Sequence, residues 1–127
     1  MSKVSIVDDD QSVRDGLVDL IQSLGFHAET FERAEHFLQS KEIDRTNCLI
    51  TDLRMDGMSG LELYDRLVES GRRIPTIVIT AFPRDRDRQR ALQAGVLCFL
   101  AKPFDECQLV ECITSALGAG SPAGAKP

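Results

Sequence analysis

Asp8, Asp9 and Asp10 stand together at the end of one apolar run, and three further apolar runs end on Asp52, Thr80 and Lys102. If the runs at 6–7, 49–51, 77–79 and 99–101 are neighbouring strands of one parallel sheet, their C-terminal ends open on a common edge. That edge is where such sheets keep their ligand sites. Three carboxylates, one ammonium and one hydroxyl then share a crevice. Carboxylates within ~4 Å of one another repel by ~1 to 4 kcal/mol per pair between water and a surface-like dielectric, so each gains a proton or recruits a cation. Oxygen ligands with no His or Cys beside them suit a hard ion such as Mg2+, which keeps several waters and leaves room for a phosphoryl oxygen. Bare phosphate is repelled from such an acidic mouth.

Asp10 also has a simpler task, capping the helix that follows. Asp52 ends the most buried run, where an unpaired carboxylate is costly, so it needs a cation. With that cation on one oxygen, the other is free to attack phosphorus, and Lys102 helps neutralise the acyl phosphate so formed. Thr80 can donate its hydroxyl to the same group. Taken singly, Thr80 reads as a strand-end hydroxyl bonded to backbone and Lys102 as a surface ion-pair partner. Their joint placement carries the weight.

The elements that must hold these residues follow from periodicity. Residues 4–7 read as a strand and 11–24 as a helix with Val13, Leu17, Leu20, Ile21 and Leu24 on one face, ending at Gly25. A weaker strand is expected at 27–31, a helix at 33–41 with Phe37 and Leu38 inward, and an apolar strand at 48–52. Ser59 with Glu62 three residues on forms a capping box that opens a helix through Ser70, carrying Leu61, Tyr64, Leu67 and Val68, and Gly71 closes it. A strand at 76–80, a charged helix at 84–94 stopped by Gly95, a strand at 96–100 and a helix from Asp105 to Leu117, capped by Asp105 with Gln108, complete the pattern. Strands of near-continuous Val, Ile and Leu are covered on both faces, which predicts a doubly wound α/β fold with a five-stranded parallel sheet. The expected domain is 1–117. Residues 118–127, rich in Gly, Ala, Ser and Pro, are expected to be a flexible linker or tail.

A chain of 127 residues holds one core and is too short for two ordinary ones. No apolar run approaches the roughly 20 residues of a membrane span, and no secretory signal precedes the first strand, so the expected compartment is the cytoplasm. A net charge of −5 argues against direct nucleic-acid binding, because phosphate neutralisation dominates such affinity. Cys48, Cys98, Cys107 and Cys112 lack zinc-site spacing and are expected to be free thiols. Arg84, Arg86, Arg88 and Arg90 alternate with Asp85 and Asp87; the pairs Asp85–Arg88 and Asp87–Arg90 predict a solvated helix face rather than a basic patch. His27 and His36 are expected to lie away from the crevice.

The pieces Val7-Asp8-Asp9, Thr51-Asp52-Leu53-Arg54-Met55, Met58-Ser59-Gly60, Ile79-Thr80-Ala81 and Lys102-Pro103-Phe104 resemble, in order and spacing, the receiver domain of bacterial two-component response regulators, the chemotaxis-regulator-like family. The resemblance spans residues 3–117 and implies the strand order 2-1-3-4-5, which is the order of the flavodoxin-like folds. It implies that Asp52 is the phosphoacceptor, that Asp9 ligates Mg2+ (or Mn2+ in its place) directly, that Asp8 does so through water, and that the Arg54 backbone carbonyl is a further ligand. Thr80 and Lys102 would grip the phosphoryl oxygens, Pro103 would follow a cis peptide bond, and Arg54 and Phe82 would be gatekeepers of water attack. Thr80 and Phe99 would be the switch, Phe99 turning inward on phosphorylation and reshaping the fourth helix, fifth strand and fifth helix. The implied partners are a histidine kinase and a second copy of the chain docked through that surface. The implied function is a phosphorylated signalling switch, not an enzyme, most similar to the nitrogen-fixation regulators and controlling a DNA-binding transcriptional output domain.

Asp56 stands where many relatives carry proline, and Phe99 lacks the hydroxyl of relatives with tyrosine. A flavodoxin-like cofactor binder would need hydroxyls and glycines after the first strand, where this chain has Asp8-Asp9-Asp10. An aspartate-nucleophile phosphohydrolase would need a carboxylic acid two positions after Asp52, where Arg54 stands. A stand-alone receiver or a phosphorylation-independent interaction module is the alternative.

Overall fold

The computed structural model describes residues 2–119. Its elements alternate: β1 (Lys3–Val7), α1 (Gln11–Ser23), β2 (His27–Phe31), α2 (Ala34–Gln39), a 3-10 helix (Lys41–Arg45), β3 (Cys48–Asp52), α3 (Gly60–Glu69), β4 (Thr76–Thr80), α4 (Asp85–Ala94), β5 (Cys98–Ala101) and α5 (Glu106–Ala119). The five strands are parallel and lie in the order β2-β1-β3-β4-β5. The expected doubly wound α/β class and order are therefore those of the molecule.

Side-chain alternation along each strand sorts the core into two layers. Ile6, Ile50, Ile77 and Ile79 face α1 and α5, meeting Leu17, Ile21, Leu109, Ile113 and Ala116. Val7 and Leu49 face the opposite way, onto Phe37, Leu63 and Leu67, while Val78 meets Leu61, Ala91 and Phe99. Each fully buried Ile or Leu here contributes about 1.5–3 kcal/mol relative to leaving it in water. Leu61 and Tyr64 serve one cluster while Leu63 and Leu67 serve the other, so α3 straddles the groove between them. Val68, expected on the buried face, lies past it and is half exposed.

The caps are the legible part of the boundaries. Asp10 accepts hydrogen bonds from the Ser12 and Val13 amides and starts α1. The Ser59–Glu62 capping box is formed in both directions. Several boundaries differ from expectation. The second helix stops at Gln39, because the Ser40 hydroxyl accepts the Glu42 amide and opens a 3-10 turn instead. Asp105 accepts the Cys107 amide, so α5 starts at Glu106, and Gly118 and Ala119 extend it beyond the expected end. The fifth strand occupies Cys98–Ala101, since Val96 and Leu97 are taken up by the turn after α4. The rest of the expected tail lies outside the described residues.

Two expectations are overturned. Cys98 and Cys112 are not free: their sulfurs are bonded, joining β5 to α5 across Cα atoms 6.4 Å apart. Fourteen residues apart in sequence, they meet because α5 folds back over the strand that precedes it, a proximity no spacing rule reveals. Cys48 and Cys107 are free, as expected. The α4 charges also pair outward rather than along their own helix, Asp87 with Arg54 at 3.0 Å and Arg90 with Asp65 at 3.3 Å. Partners on α3 and on the loop before it reach these groups from across the groove, and local i,i+3 pairs gain only a few tenths of a kcal/mol.

Candidate functional site

Register brings the charged strand ends to one edge. Val7 pairs with Phe31 and Thr51, Asp52 with Ile79, and Thr80 with Ala101, so Asp8, Asp52, Thr80 and Lys102 all emerge together. Carboxylate oxygens of Asp8, Asp9 and Asp52 lie within 4.8 Å of one another. Asp8 is fully buried and Asp52 is 7% exposed, while Asp9 faces solvent. The backbone holds Asp8 tightly: its amide donates to Phe31, its Oδ1 accepts the Asp10 amide at 2.9 Å, and its carbonyl accepts from the Arg14 guanidinium.

Lys102 answers the negative charge. Its Nζ donates to Asp8 Oδ2 at 2.9 Å and lies 3.5 Å from Asp52 Oδ1. Burial works against the ammonium, but the hydrogen bond and charge of Asp8 and the charge of Asp52 outweigh it and hold Lys102 above its ordinary value. One cation does not balance three carboxylates. Burial, then the charge of Asp8, push the Asp52 carboxyl up to about 6 despite Lys102. An all-oxygen cluster with a surplus of negative charge and a buried member fits a hard divalent cation, and Asp8, Asp9 and Asp52 are the side chains that would hold it.

Thr80 is fully buried, and its Oγ accepts the Phe82 amide at 3.2 Å, the backbone role expected of it taken singly. The Lys102–Pro103 peptide bond is cis, as the resemblance implies. Phe82 projects 67% exposed at the rim, and the Arg54 guanidinium is drawn toward Asp87 on α4. Phe99 already points inward, 4% exposed, in the cluster with Leu53, Val78, Ala91 and Val96. A phenyl ring without a hydroxyl has nothing polar to hold it outside, and the inward turn expected on phosphorylation has no exposed starting point here. His27 and His36 are both exposed, His27 at the far end of the sheet beside Lys3.

Gly60 follows from the same geometry. Any Cβ there would collide with the Asp52 carbonyl, which is why the first residue of α3 is glycine. Its amide donates to the Leu53 carbonyl at 3.0 Å, folding the loop back beside the acidic cluster. Sequence reasoning missed Glu35, whose carboxylate reaches this loop from α2. An acid in the first turn of a helix looks like ordinary macrodipole complementation, and nothing in its spacing points across the molecule.

Comparison with known proteins agrees with the geometry. The family model described as response regulator receiver domain matches residues 4–114. The transcriptional regulatory protein TdiR of Thauera aromatica is 35% identical over 116 residues, 91% of this chain and 51% of TdiR. The transcriptional regulatory protein FixJ of Rhizobium meliloti is 38% identical over 113 residues, 89% of this chain and 55% of FixJ. Among solved structures, response regulator StyR superposes with a TM-score of 0.87 at 42% identity, covering 94% of this chain and 61% of StyR. FixJ-N superposes with a TM-score of 0.83 at 37% identity, covering 92% and 94%. The chain spans about half the length of the curated relatives it matches.

Proposed function

The chain belongs to the response regulator receiver domain family, and from that premise we propose that Asp52 is its phosphoacceptor. The observation that carries the reading is the convergence of Asp8, Asp9, Asp52 and Lys102 at one sheet edge, with more negative charge than Lys102 can offset. At neutral pH Asp52, with its carboxyl near 6, is mostly ionised and nucleophilic. One Asp52 oxygen attacks phosphorus, the bond from phosphorus to the donor breaks, and the leaving group departs with the electron pair. Lys102 then turns its ammonium from Asp8 to the phosphoryl oxygens, and Thr80 exchanges its bond from the Phe82 amide for a hydroxyl donated to the same group. Asp9, Asp52 and the Arg54 carbonyl would hold Mg2+, or Mn2+ in its place, with Asp8 acting through water, and the bound ion would supply the positive charge that offsets both the carboxylates and the incoming phosphoryl group.

The donor is a phosphohistidine of a histidine kinase or a small phosphodonor. The output surface is α4, β5 and α5, where Leu92 on α4 and Leu97 ahead of β5 are partly exposed and a second copy docks on phosphorylation. Because TdiR and FixJ are transcriptional regulatory proteins, the output is control of transcription through a DNA-binding domain, with the residues after α5 as the tether. The setting is cytoplasmic; no helix among the described residues is long and apolar enough to cross a membrane.

Incubation with an acyl phosphate and Mg2+, followed by intact mass measurement, tests the reading. Wild type gains one phosphoryl group, and the gain vanishes in Asp52→Asn or with chelator. No gain in wild type, or a gain retained in Asp52→Asn, sinks it and favours the interaction module. The same sample times the reverse reaction. Arg54, tethered to Asp87, and Phe82 stand at the rim as obstacles to water, so the phosphorylated form outlasts seconds. Arg54→Ala or Phe82→Ala shortens its lifetime; an unchanged lifetime in both variants removes them as gatekeepers.

A further inference from the structure

Glu35 Oε1 is a buried side-chain oxygen without a hydrogen-bond partner among the described residues. Its twin, Oε2, accepts the Met58 amide at 3.2 Å from the loop between β3 and α3. The same oxygen lies so close to Gly57 that a Cβ there would stand 2.6 Å from it, and Gly57 adopts φ +80°. Backbone without a side chain thus passes close to a carboxylate that has one oxygen shielded from water and unpartnered, an arrangement that costs free energy unless it fixes something.

What it fixes is the middle of that loop. The two ends are already pinned, the Leu53 amide to the Ile79 carbonyl at 2.9 Å and the Gly60 amide to the Leu53 carbonyl at 3.0 Å. Arg54, next in the loop, is held through its side chain to Asp87. Between these anchors the Glu35 carboxylate holds the Met58 amide. Its own backbone amide and that of Met58 hold the carboxyl below its ordinary value, in keeping with an oxygen that accepts from the loop.

We propose that Glu35 is a positioning residue of the metal-binding loop: by accepting the Met58 amide, beside Gly57, it fixes where the Arg54 carbonyl is presented beside Asp52. This rests on the phosphoacceptor reading only for the role of the Arg54 carbonyl. The grip needs reach and an acceptor oxygen rather than a negative charge. Two substitutions separate these: Glu35→Asp keeps the charge and falls one methylene short, whereas Glu35→Gln keeps the reach and an acceptor.

The test is a Mg2+ titration of the whole chain followed by backbone amide shifts, with hydrogen exchange at the Met58 amide in metal-free protein and phosphorylation rates in parallel. Glu35→Asp should raise the half-saturating Mg2+ concentration about tenfold, the low end for groups that orient metal ligands, while Glu35→Gln stays within about twofold of wild type. Met58 exchange should quicken about tenfold in Glu35→Asp, as expected for loss of one charge-assisted bond from a local opening equilibrium. Wild-type Mg2+ affinity in Glu35→Asp overturns the proposal, and so does a Glu35→Gln as weak as Glu35→Asp, which would mean that charge alone matters. Should wild type bind Mg2+ yet take no phosphoryl group, the phosphoacceptor reading falls while the titration still decides the role of Glu35.

Discussion

Lys102→Ala should destabilise the metal-free protein by about 3 kcal/mol, the lower end of what removing one partner from a buried ion pair costs. The reason is the company Lys102 keeps. Its ammonium lies 2.9 Å from a fully buried Asp8 carboxylate and 3.5 Å from Asp52, and the lysine itself is only 17% exposed. Without it, two carboxylates out of water face each other and Asp9 with no cation between them. The loss should show as a lower urea midpoint at unchanged slope, and Mg2+ should recover most of it, since a divalent ion replaces the missing charge. Combining Lys102→Ala with Asp52→Asn should cost less than Lys102→Ala alone, because one of the stranded charges is gone. A variant within about 0.5 kcal/mol of wild type without metal would mean that solvent already screens the cluster as it screens a surface pair. The same contacts explain why a lysine belongs here: it balances the cluster before the ion arrives, and is then free to turn toward phosphorus.

How much of this was legible beforehand depended on whether a property is local. Parallel strands buried on both faces must be apolar along their whole length, so Leu49-Ile50 and Ile77-Val78-Ile79 announced themselves, and with them the edge where Asp52 and Thr80 emerge. Caps are local too, and Asp10 and Ser59 start their helices as read. What stayed hidden was proximity between distant segments. Cys98 and Cys112 meet only because α5 folds over β5. Arg54 finds Asp87 across 33 residues, and Glu35 finds Met58 across 23. Leu63 illustrates an intermediate case. A single helical face through Leu61 and Val68 omits it, yet α3 fills two sub-cores at once, and Leu63 serves the second.

Asp52→Asn should make the metal-free protein more stable at pH 7, and the gain should vanish in acid. The folded-state carboxyl is raised from its ordinary 3.8 to about 6, first by burial and then by the charge of Asp8. Between those values the folded chain retains a proton that the unfolded chain has released. The unfolded state then binds fewer protons, so stability falls as pH rises from about 4 to about 6 and stays reduced above that. A two-unit shift corresponds to about 3 kcal/mol at full development, and relaxation of the surrounding groups brings the expected gain at pH 7 to about 1–3 kcal/mol. Urea midpoints of both proteins at pH 4, 5, 6 and 7 without metal would measure it. The two should converge near pH 4 and separate as the pH rises, whereas Mg2+ at pH 7 should bring them together by stabilising wild type more. A gap independent of pH, or wild type the more stable at pH 7 without metal, would show that Asp52 carries no electrostatic burden. If the gap behaves as expected, the free energy withheld from folding at this one carboxylate is what makes it receptive to a cation and then to phosphorus: the site is held short of balance until both have bound.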